Sequence, residues 1–457
     1  MRQLIPGSFD AEALARTLAA SGLAWCWLDG EAAPQGEPSV SYFGITEHVA
    51  EATTGTEHEF LALVSSQNGE TLSGRQPETA ADSPAGFYSG WVAALSYEFG
   101  VALMDVQPTP DAVSPAFALQ LDAVLALTGS TLELRSENAG SLAAWQERYG
   151  ALIARALDAA REAAQPETGV VLDTDAAPAT SLDPAWRRSS EAYERDVREA
   201  QRAITRGDAY VLCLTDTATV PGRFDPVDVY TRLRRSGTAV RGGIIAAGGR
   251  ALVSASPERF LTVRGREVST HPIKGTRPRS DDPAQDRALA ADLASDPKER
   301  AENLMIVDLM RNDLSRVCEV GTVVVPAFLR VEQHPHVYQL VSSVTGRLRP
   351  GAGVADAVAA CFPGGSMTGA PKRRAVELLA AIEGAPRGLY SGCFGWIDAR
   401  GDAELAMTIR GVELRGIGGA APSAFVGAGG GVTADSDPAL ERAEKDLKAA
   451  SLLAALA

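Results

Sequence analysis

Lys274 is the residue whose type and surroundings point most directly to chemistry. It lies in the segment 271–279, between an isoleucine and a Gly-Thr pair, with a proline on either side. Such a setting favours a rigid loop that holds the ammonium over a cleft, and a desolvated lysine with a lowered pKa is a nucleophile. The alternative is a surface lysine in a basic turn beside Arg277 and Arg279. These residues alone do not decide between the two.

Four glutamates form two pairs with i, i+3 spacing near the starts of predicted helices: Glu299 with Glu302, and Glu441 with Glu444. This spacing projects both carboxylates of a pair from one helix face. Four carboxylates brought together would make an oxygen site suited to Mg²⁺. Helix capping is the more ordinary explanation, because an acidic residue three positions after Asp296 completes a capping box and helix dipoles favour acidic first turns.

Three further features could contact an anionic small molecule or a reacting group. Glu258 follows a proline at a strand edge, where partial burial would raise its pKa and suit it to general acid catalysis, although solvent exposure is an equally ordinary alternative. Arg410 ends an apolar, strand-like stretch and could clamp a carboxylate, although a structural ion pair is its more ordinary role. Glycine-rich segments at 364–372 and 427–431 could present backbone amides to an anion, or could simply be tight turns. Neither segment has the spacing of a nucleotide-binding loop.

Composition narrows the class of protein. The chain has 457 residues, of which 45% are hydrophobic, and no apolar run approaches the about 18 residues of a membrane-spanning helix. Its N-terminus lacks the apolar core of a signal peptide, so we expect a cytoplasmic protein with no membrane contact. The 58 acidic and 43 basic residues give a net charge of −15, which opposes nucleic acid as a partner.

Five cysteines are scattered along the chain without a Cys-x-x-Cys pair, which fits neither a disulfide framework nor a zinc site. We expect them to be buried small hydrophobic residues. They are Cys26, Cys213, Cys318, Cys361 and Cys393.

Strand and helix patterns divide the chain into three parts. Residues 1–165 are predicted to be a β-rich region that shares the core, 166–185 a polar linker, and 186–457 a catalytic region of mixed strands and helices. We expect an α+β protein rather than alternating βαβ units. Asp-Pro pairs mark helix starts, because Asp caps free amides and Pro fits the first turn. These pairs begin at Asp183, Asp225, Asp282, Asp296 and Asp437.

A set of ordered segments closely resembles the chorismate-utilising enzymes, the family that contains anthranilate synthase component I, aminodeoxychorismate synthase component I, and isochorismate and salicylate synthases. The likeness is strongest over residues 190–450 and weaker before them, where residues 42–44 and 90–98 carry it. The segments are Ser256-Pro257-Glu258, residues 272–276, residues 308–314, Ala370-Pro371-Lys372, residues 387–392, Thr408-Ile409-Arg410 and Gly427-Ala428-Gly429.

Within that family, three positions resemble the aminodeoxychorismate-forming branch. Anthranilate synthases usually carry alanine where this chain has Lys274. Val211 occupies the position of a water-activating lysine in isochorismate and salicylate synthases, which argues against water as the nucleophile. Gln339 replaces a histidine linked to pyruvate elimination in many members, so the product would keep its pyruvyl group. That replacement also leaves an aminodeoxyisochorismate-forming activity open.

The resemblance implies a fold of large antiparallel sheets packed face to face with peripheral helices. It implies Mg²⁺ held by Glu302 and Glu441, with Glu299 and Glu444 in support. Lys274 would attack C2 of chorismate while Glu258 protonates the leaving 4-hydroxyl, and ammonia would then add at C4 and expel the lysine. The implied substrate-binding residues are Gly275, Thr276, Ser366, Tyr390, Arg410, Gly427, Gly429 and Lys448.

Ammonia would have to come from solution or from a partner, because none of the cysteines lies in a Gly-x-Cys-x-Gly turn. The implied partner is a glutamine amidotransferase subunit. Three alternatives remain: anthranilate synthase component I, an isochorismate-type hydroxylation, and a non-catalytic relative that binds chorismate or an amidotransferase.

Overall fold

Two antiparallel sheets form the framework of the chain in the computed structural model. The structure describes residues 1–30, 39–66, 86–164, 184–236, 241–334 and 337–457. Within these residues one sheet has twelve strands and the other has ten. The prediction of an α+β fold with large antiparallel sheets is confirmed.

The first part of the chain mixes short strands with helices. Its strands are β1 (Arg2–Ile5), β2 (Ala24–Asp29), β3 (Ser41–Thr46), β4 (Val49–Glu51), β5 (Gly90–Leu95), β6 (Ala116–Leu121), β7 (Ala123–Thr128) and β8 (Thr131–Ser136). Its helices are α1 (Ala11–Ala19), α2 (Glu57–Val64), α3 (Tyr97–Leu103) and α4 (Ala139–Ala163). The strand pattern did not predict α1 to α3. Helix α1 has an Asp10 cap and buries Leu14 and Leu18 on one face.

The rest of the chain carries longer strands and the helices that flank the site. The strands are β9 (Ala185–Trp186), β10 (Val211–Pro221), β11 (Arg241–Ala247), β12 (Arg250–Ser256), β13 (Arg259–Arg264), β14 (Glu267–Thr270), β15 (Ile273–Pro278), β16 (Val324–Gln333), β17 (Val337–Arg347), β18 (Gly369–Ala370), β19 (Cys393–Asp398), β20 (Ala403–Met407), β21 (Gly411–Arg415) and β22 (Ser423–Val432). The helices are α5 (Ser190–Thr205), α6 (Pro226–Ser236), α7 (Pro283–Ser295), α8 (Pro297–Ser315), α9 (Val354–Cys361), α10 (Lys372–Glu383) and α11 (Pro438–Leu456).

Strand order joins distant parts of the sequence. The twelve-stranded sheet runs β1-β8-β7-β3-β2-β11-β12-β21-β22-β10-β18, with β9 beside β10. The ten-stranded sheet runs β15-β17-β14-β13-β20-β19-β5-β6-β4, with β16 beside β17. Both sheets therefore contain strands from before and after the predicted linker at 166–185, of which residues 166–183 lie outside the described residues.

Apolar side chains fill the space between the sheets and under the helices. Cys26, Ile245, Val92 and Trp396, from both sheets, belong to one buried cluster, so the sheets pack face to face. Helices α1, α4, α6 and α11 cover the outer face of the twelve-stranded sheet. Helices α2, α3, α8 and α9 cover the outer face of the other. Burial of this apolar surface is the main stabilising contribution.

Four of the five predicted Asp-Pro helix starts are found, and the aspartates at 225, 282, 296 and 437 each accept bonds from free amides of the first turn. The prediction at Asp183 is wrong, because residues 185–186 form β9 and the next helix begins at Ser190 with Ser189 as its cap. Among the described helices, none is long and apolar enough to span a bilayer.

Candidate active site

An irregularity in the pairing of β15 with β17 sets the direction of the Lys274 side chain. The pairing register shifts between Ile273 and Thr276, so Lys274 and Gly275 have no regular partner on β17. A β-bulge of this kind bends its strand and re-aims the side chains that it contains. The Lys274 ammonium nitrogen lies 3.8 Å from Glu302 Oε2, and its side chain is 22% exposed.

Gly275 allows β15 to lie against the first turn of α8. Its φ is +81°, and an added Cβ would lie 2.8 Å from Leu293 and 3.0 Å from the Glu299 carboxyl carbon. Only glycine tolerates both the backbone conformation and the close approach. The neighbouring Thr276 is exposed and pairs with the buried Gln339.

Carboxylates around Lys274 control its protonation. Burial by itself lowers the pKa of Lys274, but the charges of Glu302, Glu258 and Glu299 outweigh burial, and the pKa of the lysine is raised. The condition for a nucleophilic lysine, a net lowering of its pKa, is therefore not met by this arrangement of charges. Lys274 is an ammonium at neutral pH in the structure.

Glu258 faces Lys274 from the turn between β12 and β13. Its side chain is buried, and Glu258 Oε1 accepts a 2.8 Å hydrogen bond from Ser366 Oγ in the short 3₁₀ turn Gly365–Met367. Burial raises the pKa of Glu258 to about 7, against the opposing effects of the Ser366 bond and the Lys274 charge. The prediction of a raised pKa is confirmed. A carboxyl group with this pKa can hold or release a proton near neutral pH.

The first two turns of α8 carry the first glutamate pair. Asp296 caps the helix by accepting from the amides of Lys298 and Glu299. Glu302 lies between two lysines, since Lys298 Nζ is 3.9 Å from its Oε1 on the side away from Lys274. Burial and the charge of Glu302 raise the pKa of Glu299. A bound cation would relieve this crowding of negative charge.

The first turns of α11 carry the second pair. Glu441 is buried and accepts a 2.7 Å hydrogen bond from Ser436 Oγ, and burial raises its pKa. A Cβ on Gly430 would lie 2.8 Å from Glu441 Oε2, so glycine makes room for this carboxylate. Lys448 Nζ lies 2.6 Å from Oε1 of the exposed Glu444, and the charge and hydrogen bond of this lysine lower the pKa of Glu444 against the opposing effect of partial desolvation.

The two glutamate pairs face a common space. The charge of Lys298 on α8 acts on both Glu441 and Glu444 on α11, and the charge of Lys274 also reaches Glu444. In the part of the chain that the structure describes, however, no three acidic, histidine or cysteine side chains are gathered closely enough to form a ready metal cluster. The donor chemistry suits Mg²⁺, whose binding would have to draw the carboxylates together.

Strand β22 and the residues before β19 carry further predicted substrate-binding residues. The ring of Tyr390 lies directly on Gly427, where an added Cβ would be 2.1 Å from Tyr390 Cγ. Burial raises the pKa of Tyr390, so its phenol stays a neutral hydrogen-bonding group. Gly429 pairs with Thr215 on β10, and its carbonyl accepts a 3.0 Å hydrogen bond from Lys448 Nζ.

Arg410 lies in the turn between β20 and β21 rather than on a strand as predicted. Its φ is +51°, an unusual conformation for a residue with a side chain. Its Nη1 donates to the Lys448 carbonyl at 3.1 Å, and the exposed guanidinium forms no ion pair with any described residue. The expected structural ion pair is therefore absent, and the guanidinium is available to a carboxylate of a ligand.

Sequence reasoning missed three side chains that contact the glutamates. Lys298 contacts Glu302, Ser436 bonds Glu441, and Arg277 Nη1 lies 3.7 Å from Glu299 Oε1. The i, i+4 spacing of Lys298 and Glu302 was a usable signal.

Val211, the position that argues against water as the nucleophile, is the first residue of β10 and pairs with Ala370 of β18.

Two large antiparallel sheets hold a lysine and a buried glutamate beside two helix-borne carboxylate pairs, which is the arrangement expected for the chorismate-utilising enzymes that the sequence resembles. Residues 26–454 match the model of the chorismate binding enzyme family, and the chain belongs to that family.

Two relatives match nearly the whole chain. It is 37% identical over 98% of its length to an aminodeoxychorismate synthase of Streptomyces pristinaespiralis, and 36% identical over 98% to one of Streptomyces griseus. The chain spans 64% and 63% of the lengths of these two proteins. It is also 41% identical over 65% of its length to an anthranilate synthase component 1 of Halobacterium salinarum, covering 57% of that protein.

Solved structures support the same fold. Anthranilate synthase component I from Streptococcus pneumoniae superposes with a TM-score of 0.71 at 26% identity, with 98% of this chain and 93% of that chain covered. The menaquinone-specific isochorismate synthase of Escherichia coli gives a TM-score of 0.72 at 18% identity, over 100% and 94% of the two chains, and shows the likeness of fold alone.

Proposed function

We propose that the chain replaces the 4-hydroxyl of chorismate with an amino group and forms 4-amino-4-deoxychorismate. The observation that carries the proposal is the position of Lys274, a lysine aimed by a strand bulge into the space that Glu258 and Glu302 border. The two Streptomyces relatives that match 98% of the chain are named for this product.

The proposed chemistry requires a neutral Lys274 and a protonated Glu258. In the structure the raised pKa of the lysine and the pKa of about 7 for Glu258 leave one proton on the pair at mildly alkaline pH. Transfer of that proton from Lys274 to Glu258 produces both reactive forms in one step. Lys274 Nζ then bonds to C2, both double bonds of the ring diene shift by one position toward C4, and the C4–oxygen bond breaks so that the 4-hydroxyl leaves as water with the Glu258 proton.

A second displacement completes the proposed reaction. Ammonia bonds to C4, both double bonds shift back, and the C2–nitrogen bond breaks to return its electron pair to Lys274. The amine loses the proton that the lysine or solvent accepts. Two steps with a covalent intermediate replace one difficult substitution.

Substrate carboxylates would be held at two places. Arg410, the Tyr390 hydroxyl and the backbone around Gly427 and Gly429 would bind the pyruvyl carboxylate, supported by the free guanidinium and the phenol that stays neutral. Gly275 and Thr276 would border the ring, and Lys448 would add positive charge. We propose that Ser366 contributes to the substrate-binding site through its hydrogen bond to Glu258.

We further propose Mg²⁺ as the resident cation, held by Glu302 and Glu441 with Glu299 and Glu444 nearby. Burial, together with the negative charge of the neighbouring glutamate in each pair, raises the pKa values of Glu299 and Glu441 and supports this assignment. When bound, the ion would neutralise these carboxylates and attract the ring carboxylate of chorismate.

Ammonia is proposed to come from a glutamine amidotransferase subunit. All five cysteines are free and buried, and burial raises the pKa of each thiol. A glutaminase nucleophile needs an accessible, activated thiol, which this chain does not offer.

The test is product identification with chorismate, Mg²⁺ and either ammonium or glutamine as the nitrogen donor. We expect ammonium alone to support a product that keeps the pyruvyl group and that an added lyase converts to 4-aminobenzoate. The anthranilate synthase relative of Halobacterium salinarum makes anthranilate the second candidate product, recognised by its fluorescence. Chorismate binding without turnover would instead indicate a non-catalytic subunit.

A further inference from the structure

A buried ion pair remains outside the chemistry described so far. Lys372 Nζ donates to Asp313 Oδ2 at 2.5 Å and to the carbonyl of Cys361 at 2.7 Å. The Lys372 side chain is 8% exposed and that of Asp313 is 3% exposed. Ionised groups are rarely taken so far from water, and an ion pair of this kind often stabilises less than an apolar pair of the same shape. The pair therefore calls for a role other than stability.

Lys372 closes a loop. Cys361 is the last residue of α9 and Lys372 is the first of α10, so the ammonium ties together the two ends of the segment 362–371. Asp313 lies in the last turn of α8, the helix whose first two turns carry Glu299 and Glu302. One ammonium thus fixes the two ends of the loop, which we call its neck, to the far end of the glutamate-bearing helix α8.

The loop continues from this neck to the reacting groups. An added Cβ on Gly365 would lie 2.5 Å from Leu309, so the loop packs tightly on the same helix. The next residue, Ser366, donates the 2.8 Å hydrogen bond to Glu258 Oε1. The neck, the α8 surface and Glu258 are therefore connected by direct contacts.

We propose that Lys372 and Asp313 are positioning residues, which hold the 362–371 loop on α8 so that Ser366 fixes the orientation of the Glu258 carboxyl group. The kinetic consequences rest on the proposed function, in which Glu258 supplies the proton for the leaving hydroxyl. The structural consequence, an ordered loop, does not rest on it.

The test replaces both charges at once, because a single replacement would leave a buried charge unpaired and could prevent folding. We expect the Lys372→Met, Asp313→Leu double variant to fold with an unchanged or higher melting temperature. We expect its kcat to fall by roughly tenfold to a hundredfold with little change in KM, as for a displaced catalytic group. The control is Arg374→Gln, a change at an exposed residue of α10, the helix that begins with Lys372. This variant should leave both kcat and KM unchanged.

Ser366→Ala supplies the second arm. If the pair acts through Ser366, this variant should lose a similar factor in kcat, and adding it to the double variant should cost little more. If the kcat losses of Ser366→Ala and of the double variant multiply when the changes are combined, the pair does not act through Ser366 and the proposal is overturned. A double variant with wild-type kcat and pH profile would overturn it as well.

Hydrogen exchange separates this proposal from the proposed function. Amides of residues 362–371 should exchange faster in the double variant than in the wild type, without any substrate present. Unchanged exchange rates would overturn the positioning role even if the enzyme makes the expected product. Faster exchange in a protein that makes a different product would contradict the proposed function and retain the positioning role.

Discussion

Lys274 Nζ lies 3.8 Å from Glu302 Oε2, so the candidate nucleophile and a candidate metal ligand are in contact. The same contact explains why the pKa of this lysine is raised although burial lowers it. A cation that binds Glu302 competes with the lysine for the carboxylate. Lysine reactivity and cation binding are therefore coupled through one side chain.

Replacement of Lys274 separates its nucleophilic role from its charge. We expect Lys274→Met to reduce amination by about 100-fold or more, because the covalent route is lost. Lys274→Arg keeps a positive charge beside Glu302 but is a poor nucleophile, so it should be equally impaired. Product formation is followed by mass spectrometry, and chorismate binding by calorimetry. Recovery of activity in the arginine variant would reduce Lys274 to an electrostatic role.

The raised pKa of Glu258 predicts how kcat/KM changes on the acid side of the pH profile. Below pH 7 both Glu258 and Lys274 are protonated, and the lysine has no base to receive its proton. As pH rises through about 7 the pair loses one proton, and kcat/KM should rise by about tenfold per pH unit up to a plateau.

Glu258→Gln cannot take part in this titration. It should abolish the limb near pH 7 and lower the rate by about 10²–10⁴-fold. Steady-state kinetics between pH 5 and pH 9, a range of about two units on either side of neutrality, measure both effects. A glutamine variant that keeps the limb would assign it to another group.

Two glycines of β22 form a matched pair. Gly427→Ala would place a Cβ 2.1 Å from the Tyr390 ring, whereas Gly431→Ala would meet only Val211 Cγ2 at 3.5 Å. We expect Gly427→Ala to displace Tyr390, raise the KM for chorismate and cost about 1–3 kcal/mol of unfolding free energy. Gly431→Ala should be close to wild type in thermal melting and in KM. Equal effects in both variants would show that the Tyr390 contact is unimportant.

The glutamate pairs predict the metal dependence. Glu302→Gln and Glu441→Gln should each weaken Mg²⁺ binding by about 10–100-fold, because each removes a charged oxygen donor. Asp308→Asn is the control on α8, since that carboxylate is 77% exposed and pairs with Arg311. Mg²⁺ titrations by calorimetry and by activity after chelation measure the effect. Activity that survives complete chelation would show that the reaction does not need a metal at this site.

Local chemistry explains which features the sequence predicted. Asp296 and Asp437 gave correct helix starts because capping depends on neighbouring residues alone. The raised pKa of Lys274 was not predictable, because Glu302 comes close only when α8 packs beside β15. The apolar stretch before Arg410 predicts a strand, and the left-handed backbone of Arg410 leaves no trace in that stretch. The Lys372–Asp313 pair joins residues 59 positions apart, and only the fold brings them together.

The most direct test of the proposed reaction is the position of the new nitrogen. The chain is incubated with chorismate, Mg²⁺ and ¹⁵N-ammonium at mildly alkaline pH, and the product is examined by NMR. We expect ¹⁵N bonded to C4 of a ring that keeps its pyruvyl group, as attack by ammonia on a Lys274 adduct requires. Nitrogen at C2, or labelled anthranilate, would contradict the role of Lys274 in directing ammonia to C4.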